Sequence, residues 1–310
     1  MNEVPFEAGR DWQIWNGDCV DVVSQLPDNS VDFSVYSPPF SSLYIYSESA
    51  ADMGNVADDA EFFARYRHLI REKLRVTRPG RLSAIHVKDL VYYQNSSEHG
   101  DAGLRPFSDG CVQAHIEEGW TYHCRITIWR DPVLERSKTN AHGLLWKTFQ
   151  KDSSFCRVGM PEYLLVFRKW AKPGDEALVR PVEHPKDERG VKPWQDLASP
   201  VWNWRDGQSG NGDLDLPATD VLNVAAARDE NAEKHLCPMP LNITRRALEL
   251  WSNRGDVVLS PFAGVGSEGV ASIGMGRRFL GTELNPPYFR QAVNNLRSAK
   301  ADTPDLFAAA

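Results

Sequence analysis

Two consecutive prolines close a short apolar segment near the start of the chain. Apolar and polar residues alternate along Val31–Tyr36, which predicts a β-strand. Proline cannot continue the hydrogen-bond ladder of a sheet, so the strand has to stop in a rigid, extended turn. The turn fixes the positions of four residues at the edge of the sheet: Ser37, Pro38, Pro39 and Phe40.

This arrangement suits recognition of a planar exocyclic amine. The Ser37 hydroxyl and the Pro38 carbonyl can each accept one amine hydrogen, while the Phe40 ring stacks on the ring that carries the amine. Accepting both hydrogens draws the nitrogen lone pair out of conjugation and directs it at an electrophile. An ordinary strand that ends in a Pro-Pro turn with a buried phenylalanine is an equally good interpretation of this segment alone.

A second segment, near the other end of the chain, predicts a ligand-binding turn. An apolar strand, Asp256–Ser260, is followed by Gly264 and Gly266 and then by a helix rich in small residues. Glycines let the backbone approach a ligand closely, although a single Gly-x-Gly is weak on its own. The next strand, Arg278–Glu283, ends in an acid, which in dinucleotide-type folds is placed to bind ribose hydroxyls.

Five motifs resemble those of the β-group of S-adenosylmethionine-dependent DNA amino-methyltransferases, and they occur in the order of that group. They lie within residues 16 to 290, and the full pattern is most similar to solitary, prophage-type enzymes. The motifs are Asn16–Asp32, Ser37–Phe40, Lys234–Pro240, Phe262–Gly266 and Gly281–Leu284.

The resemblance implies a permuted, Rossmann-like methyltransferase fold with an inserted target-recognition region. Strands that alternate with helices independently favour an α/β, doubly wound and mostly parallel sheet. By resemblance, Ser37–Phe40 is the catalytic tetrapeptide and S-adenosyl-L-methionine is the cofactor. The expected cofactor-binding residues are Asp18, Cys19, His235, Cys237, Pro238, Pro261, Phe262, Ala263, Gly264, Gly266, Ser267, Glu283 and Asn285.

Two of these expectations have qualifications in the sequence itself. Asp18 contacts the adenine ring of the cofactor by resemblance, but an aspartate there also suits the N-cap of a helix, and the two roles are compatible. Most members of the group open the cofactor loop with Asp-Pro-Phe, whereas this chain has Ser260 before Pro261. The missing carboxylate weakens a cofactor role for Ser260 and leaves more of it to Glu283 and the loop backbone.

The implied reaction is site-specific methylation of an exocyclic amine in duplex DNA, by base flipping and direct in-line transfer. Serine at the first tetrapeptide position resembles cytosine-N4 enzymes, whereas the whole-chain similarity favours adenine N6, which is the prediction adopted. More distant alternatives are methylation of RNA or of a protein amide, and a dinucleotide-dependent dehydrogenase. The motif order and the long insertion argue against the former. Dehydrogenases usually carry their glycine-rich loop at the start of the chain, which argues against the latter.

The predicted organisation has two halves of one methyltransferase domain around an insertion. Residues 1–129 form the catalytic half, 130–234 the target-recognition region with a core strand near 162–168, 235–300 the cofactor-binding half and 301–310 a tail. A floppy insertion whose tryptophans pack on the core is the alternative interpretation of 130–234. The expected contacts to DNA phosphates are Arg130, Arg136, Lys138, Lys147 and Lys151.

Composition adds few constraints. The net charge of −7 is compatible with double-stranded DNA as the partner, because a local basic patch decides that question. The sequence contains 5 cysteines without a pairing pattern and no apolar run long enough for a membrane span, so we expect a cytoplasmic protein with reduced thiols. The spacing of cysteine and histidine predicts no metal site. By resemblance we expect a homodimer.

Overall fold

A mixed sheet of nine strands forms the centre of the computed structural model, which describes residues 4–41, 52–97, 99–132, 136, 145–184, 191–202, 221–222 and 238–299. In spatial order the strands are β1 (Phe6–Ala8), β2 (Trp12–Asn16), β11 (Arg278–Glu283), β10 (Val257–Ser260), β3 (Val31–Tyr36), β4 (Thr77–Val87), β8 (Glu162–Arg168), β7 (Thr121–Ile128) and β9 (Val201–Trp202). A separate hairpin pairs β5 (Leu90–Tyr92) with β6 (Gly103–Arg105).

Five neighbouring strands of the sheet, from β2 to β4, run parallel to one another. Strand β8 is antiparallel to both of its neighbours, and β1 is antiparallel to β2. The helices of the described residues are α1 (Cys19–Ser24), α2 (Asp59–Val76), α3 (Phe107–Glu117), α4 (Trp146–Lys151), α5 (Val191–Leu197), α6 (Leu241–Trp251), α7 (Ser267–Gly274) and α8 (Pro286–Ser298). The predicted α/β, doubly wound and mostly parallel sheet is therefore confirmed.

Helices cover both faces of the sheet, so the central strand β3 is buried throughout. Tyr36 packs in a core cluster with residues of α2 and α3, whereas Val35 packs in a second cluster with residues of α6. Even Asp32 and Ser34 are buried, so the alternation read from the sequence does not mark a solvent-facing side of the strand. Burial on both faces is the usual condition of a parallel strand.

A Pro-Gly pair predicts the end of a helix, but Pro79-Gly80 is not where helix α2 ends. The helix ends at Val76, and Pro79 and Gly80 lie inside β4. The pairing of β3 with β4 shifts between Thr77 and Leu82, so the proline stands where the ladder is interrupted and its missing N–H is tolerated. Gly80 has φ of 81°, a conformation that favours glycine.

The amino ends of the parallel strands are held together by buried charges. Arg81 contacts the carboxylate of Asp256 and donates to the Asp32 carbonyl at 2.8 Å. The Asp32 carboxylate accepts from Arg78 at 2.9 Å and from the Val257 amide at 3.0 Å. This cluster lies at the end of β3 and β10 opposite to the one that ends in Ser37 and the glycine turn, so its role is structural.

The first strand and the last helix lie side by side. A guanidinium nitrogen of Arg297 in α8 is 2.8 Å from a carboxylate oxygen of Glu7 in β1. Both side chains are largely exposed, so the pair adds little stability, but it shows how close the two ends of the described fold are. Among the described residues, no helix is both long and apolar enough to cross a membrane.

Candidate active site

The carboxyl ends of the parallel strands bring most of the described candidate residues to one edge of the sheet. Strand β3 ends just before Ser37, and its neighbour β10 ends just before the turn that contains Gly264 and Gly266. Beyond β10, strand β11 ends in Glu283, which pairs with Asn16 at the end of β2. Ligands of open α/β sheets bind at this edge. Segments far apart in sequence therefore form one candidate site.

The two central segments touch directly. The ring of Tyr36, the last residue of β3, lies 5.8 Å from the ring of Phe262, measured between centroids. Phe40, the last residue of the tetrapeptide, is half-buried and packs edge-on against Phe107 of α3 at 6.1 Å. The tetrapeptide is therefore held from both sides by aromatic contacts, and Phe40 keeps part of its ring surface free.

The Ser37 hydroxyl has a defined hydrogen-bond partner. Its oxygen donates to the carbonyl of His86, in the neighbouring strand β4, at 2.9 Å. Because the hydroxyl proton is used in this bond, the remaining lone pairs of the oxygen are left to accept. The geometry thus orients Ser37 as a hydrogen-bond acceptor, the role expected of it from the sequence.

The turn after β10 is fixed by contacts to the end of β11. The Ala263 amide donates to the Thr282 carbonyl at 2.9 Å, and the Thr282 hydroxyl donates to the Pro261 carbonyl at 2.6 Å. Gly264 and Gly266 have φ of 53° and 87°, and a Cβ at Gly264 would meet no atom within 4 Å. Glycine is needed at 264 for backbone conformation, and open space remains beside it.

The Glu283 carboxylate ties the glycine turn to the start of α8. One oxygen accepts from the Gly264 amide at 2.8 Å, and the other accepts from the Asn285 amide at 2.8 Å. The Asn16 side chain donates to the Glu283 carbonyl at 2.8 Å, which brings the loop before α1 alongside. Asn285 caps α8 by accepting from the Tyr288 amide at 3.3 Å.

Asp18 caps helix α1, in agreement with one of its two predicted roles. Its carboxylate accepts from the Val20 amide at 2.6 Å and from the Asp21 amide at 3.3 Å. Partial burial nevertheless raises the pKa of Asp18 above its ordinary value. The next residue, Cys19, is buried, and this burial together with the Asp18 charge raises the pKa of its thiol well above the ordinary value. Cys19 is therefore not a reactive thiolate.

Two buried hydroxyls flank the turn after β10. Ser260 precedes the turn and Ser267 follows it, and neither side-chain oxygen has a hydrogen-bond partner among the residues that the structure describes. Buried hydroxyls without partners are uncommon, and a ligand that supplies the missing partner is one explanation. Together with the open space beside Gly264 and the acidic strand end at Glu283, they fit a nucleoside-type ligand with polar groups.

The expected DNA contacts are placed differently from one another. Arg130 is mostly buried, and its guanidinium contacts the carboxylate of Glu162 rather than facing solvent. Its assignment to a DNA phosphate is therefore not supported by this geometry, because the charge is already engaged inside the fold. Lys147 and Lys151 are exposed on α4. Arg136 is half-buried, and Lys138 lies outside the described residues.

Of the expected cofactor-binding residues, His235 and Cys237 also lie outside the described residues, and Pro238 is half-buried before α6.

The segment between β7 and β8 leaves the sheet at the same edge as Ser37. Val87 at the carboxyl end of β4 pairs with Tyr163, and Ile128 at the end of β7 pairs with Glu162. Within this segment Trp146 and Phe149 stack on each other at 5.3 Å and remain 70% and 56% exposed. The sequence analysis did not single out these two rings, and their spacing within a basic helix was the signal available.

Sequence reasoning also missed the residues behind Ser37. His86 is buried, and its Nε2 lies 2.7 Å from a carboxylate oxygen of Glu162. Burial raises the pKa of Glu162, but His86 and Arg130 outweigh this effect and hold it well below its ordinary value.

Of the tryptophans in the proposed insertion, Trp202 is fully buried in the core, whereas Trp194 is 61% exposed.

Comparison with known proteins identifies a family. A family model described as DNA methylase, of the N6/N4 methyltransferase type, matches residues 31–294. The type II methyltransferase M.MthZI of Methanothermobacter thermautotrophicus is 23% identical over 276 residues, which cover 85% of this chain and 70% of the relative. The DNA adenine methyltransferase YhdJ of Escherichia coli is 38% identical over 64 residues, which cover 21% of this chain and 22% of the relative.

A solved structure has the same fold. TTHA0409 of Thermus thermophilus, solved in complex with S-adenosyl-L-methionine, superposes with a TM-score of 0.65. It is 21% identical, and the match covers 94% of this chain and 95% of TTHA0409. At this identity the likeness establishes the architecture of the sheet and its helices.

Proposed function

The chain belongs to the N6/N4 family of DNA methylases, which are S-adenosyl-L-methionine-dependent amino-methyltransferases, and we propose that it methylates the N6 amino group of adenine in duplex DNA. The observation that carries the proposal is the adjacency of two strand ends. The tetrapeptide that begins at Ser37 follows β3, and the glycine turn follows β10, its parallel neighbour. A tetrapeptide that accepts hydrogens from an amine and a turn that binds the cofactor, at adjacent strand ends, suit direct transfer of a methyl group from cofactor to amine.

Protein groups around the glycine turn would hold the cofactor, which supplies an electrophilic methyl group when bound. The open space at Gly264 admits the ligand, and the Glu283 carboxylate, fixed by two backbone amides at the same turn, is the acidic strand end expected to meet ribose hydroxyls. The Ser260 and Ser267 hydroxyls offer unused hydrogen bonds at the same turn. Contacts by Asp18, Cys19, His235, Cys237 and Pro238 remain predictions from resemblance.

The tetrapeptide would orient the target amine. The Ser37 hydroxyl, with its proton donated to His86, can accept one amine hydrogen, and the Pro38 carbonyl can accept the other. This orientation would free the nitrogen lone pair for attack on an electrophile held at the neighbouring glycine turn. Direct transfer requires no covalent bond to the protein, which agrees with the raised pKa of the Cys19 thiol. Positioning of this kind can contribute roughly 7–11 kcal/mol to catalysis in favourable cases.

The target nucleotide has to leave the DNA stack, because its amine is inaccessible there. Extrusion costs about a few kcal/mol, and stacking on Phe40 returns roughly 1–3 kcal/mol. The half-buried Phe40 ring is braced by Phe107, so it is ordered before the base arrives. A pre-ordered ring loses little conformational entropy on binding.

Sequence similarity favours adenine as the target base, whereas one residue of the tetrapeptide favours cytosine. The 38% identity to the adenine methyltransferase YhdJ, over 64 residues, supports adenine N6. Serine at position 37 resembles cytosine-N4 enzymes, so methylation of cytosine N4 is the second candidate. Both amines present the same two hydrogens, so Ser37 and the Pro38 carbonyl can orient either of them.

We propose that DNA binds across the edge of the sheet where β3 ends, with residues 130–234 reading the sequence. Exposed Lys147 and Lys151 on α4 are placed to contact phosphates, and Trp146 and Phe149 beside them offer flat rings to bases. A homodimer and the solitary, prophage-type character remain predictions from resemblance.

The test is identification of the methylated base. Duplex DNA of mixed sequence is incubated with the protein and isotopically labelled S-adenosyl-L-methionine, digested to nucleosides and analysed by mass spectrometry. We expect label in N6-methyladenine. Label in N4-methylcytosine would establish the second candidate instead, and label confined to RNA or protein acceptors offered in parallel would refute DNA as the substrate.

A further inference from the structure

Behind the tetrapeptide, side chains from β4, from β8 and from the chain just beyond β7 form a buried polar row. His86 pairs with Leu164 across β4 and β8, so Glu162 is its diagonal neighbour on the same face. Glu162 in turn pairs with Ile128 across β8 and β7, and Arg130 follows two residues later. The sheet register therefore places His86, Glu162 and Arg130 next to one another.

The contacts within the row are close and shielded from solvent. Nε2 of His86 is 2.7 Å from Oε2 of Glu162, and the Arg130 guanidinium contacts the same oxygen. The three side chains are 9%, 15% and 14% exposed, respectively. An ion pair at this depth is costly to break, because the remaining charge is left without a partner. The row is therefore a rigid connection between β4, β8 and the chain beyond β7.

One end of the row is tied to the catalytic tetrapeptide. The His86 carbonyl is the group that accepts the Ser37 hydroxyl proton, at 2.9 Å. The position of this carbonyl decides where the Ser37 lone pairs point, and the His86 side chain is anchored by Glu162. The other end, Arg130, begins the segment that we propose reads DNA.

We propose that His86, Glu162 and Arg130 are positioning residues that set the orientation of the Ser37 hydroxyl and connect it to the DNA-reading segment. The proposal rests on the methyltransferase function proposed above. None of the three side chains needs to touch the base or the cofactor. Their contribution is to hold the His86 carbonyl in place, so that Ser37 accepts a hydrogen from the target amine rather than donating one to it.

The test compares Glu162→Gln with a matched control, Asp109→Asn. Asp109 also pairs with an arginine of β7, Arg125, but its side chain is 67% exposed. In steady-state methylation of duplex DNA we expect Glu162→Gln to lower kcat by roughly tenfold to a hundredfold, the size of effect of a misplaced catalytic group. The KM for S-adenosyl-L-methionine should stay within about twofold, and Asp109→Asn should leave kcat unchanged.

Base flipping provides a readout that general loss of structure would not preserve. With 2-aminopurine at the target position, Glu162→Gln should give the wild-type fluorescence increase, because this base reports extrusion from the stack and lacks the 6-amino group that Ser37 orients. If Glu162→Gln does not fold, Arg130→Gln tests the outer member, with Arg130→Lys expected to restore part of kcat. Wild-type kcat in both Glu162→Gln and Arg130→Gln, or an equal loss in Asp109→Asn, would overturn the proposal.

A double-mutant cycle separates action through Ser37 from an independent effect. In single turnovers with enzyme in excess, adding Glu162→Gln to Ser37→Ala should cause no further loss, because the hydroxyl that the row orients is gone. Losses that multiply would refute action through Ser37. Wild-type protein that methylates no DNA would instead refute the proposed function, so the two failures are distinguishable.

Discussion

Glu268, in the first turn of α7, should make the stability of this protein fall as the pH rises. Its side chain is 3% exposed, and burial, together with the nearby charge of Glu283, raises its pKa from 4.5 to about 8. The folded protein therefore binds this proton more tightly than the unfolded chain does. The contribution of Glu268 to the free energy of unfolding therefore decreases progressively as the pH rises from about 4.5 to about 8.

The magnitude follows from the size of the shift. One pKa unit corresponds to about 1.4 kcal/mol, so ionisation of Glu268 costs between about 3 and 4 kcal/mol of stability from pH 5 to pH 8. Glu268→Gln keeps the shape of the neutral carboxyl and cannot ionise. Urea unfolding of both proteins across this range should show the variant gaining on the wild type by that amount.

The comparison has a control and a clear contrary outcome. Glu117 is exposed, and hydrogen bonds from Gln113 and Arg67 lower its pKa, so it is ionised throughout this pH range whether folded or not. Glu117→Gln should therefore differ from the wild type by a constant amount. If the difference between Glu268→Gln and the wild type also stays constant within about 0.5 kcal/mol from pH 5 to pH 8, the carboxyl is not protonated in the folded state and the reasoning is wrong.

Three further outcomes are expected. Ser37→Ala should slow methyl transfer by roughly a hundredfold, with a residual rate still measurable in single turnovers, yet bind S-adenosyl-L-methionine with wild-type affinity in calorimetry, because the side chain serves the amine; a wild-type transfer rate would contradict its role. Arg81→Ala should lower the free energy of unfolding by about 3–5 kcal/mol, because it leaves the Asp256 carboxylate buried without its partner; a loss below about 1 kcal/mol in chemical denaturation would exclude this. The double variant Lys147→Ala/Lys151→Ala should reduce the slope of log K for DNA binding against log salt concentration by about two, since each phosphate contact contributes roughly 0.9 to that slope. Fluorescence anisotropy at several salt concentrations measures the slope, and an unchanged slope would place DNA elsewhere.

Local patterns were sufficient to predict most of the elements that build the site. The strands Val31–Tyr36 and Arg278–Glu283 were predicted with the observed boundaries, because their residue patterns and flanking turns are encoded within a few residues. The Pro79-Gly80 stop was wrong because a proline can stand in a strand where the ladder is interrupted, and that interruption depends on the neighbouring strand.

Contacts between distant segments were the part that the sequence could not provide. Ser37 and His86 are 49 residues apart, and His86 and Glu162 are 76 apart. No periodicity relates them, because their proximity depends on which strands pair and in which register. Arg130 was grouped with exposed basic residues for the same reason: its partner Glu162 becomes a neighbour only once β7 and β8 are side by side.

Because Glu7 and Arg297 are in contact, the fold does not require the chain to begin at β1. A short connection between β1 and α8 would close the backbone into a ring at small entropic cost, and the exposed turn at Gly174 offers a place to open it. In such a circularly permuted chain β10 and β11 would precede the tetrapeptide in the sequence, and every strand neighbour would be retained. The order of the two halves along the polypeptide is then a consequence of where the ring is cut, and the chemistry at the strand ends does not depend on it.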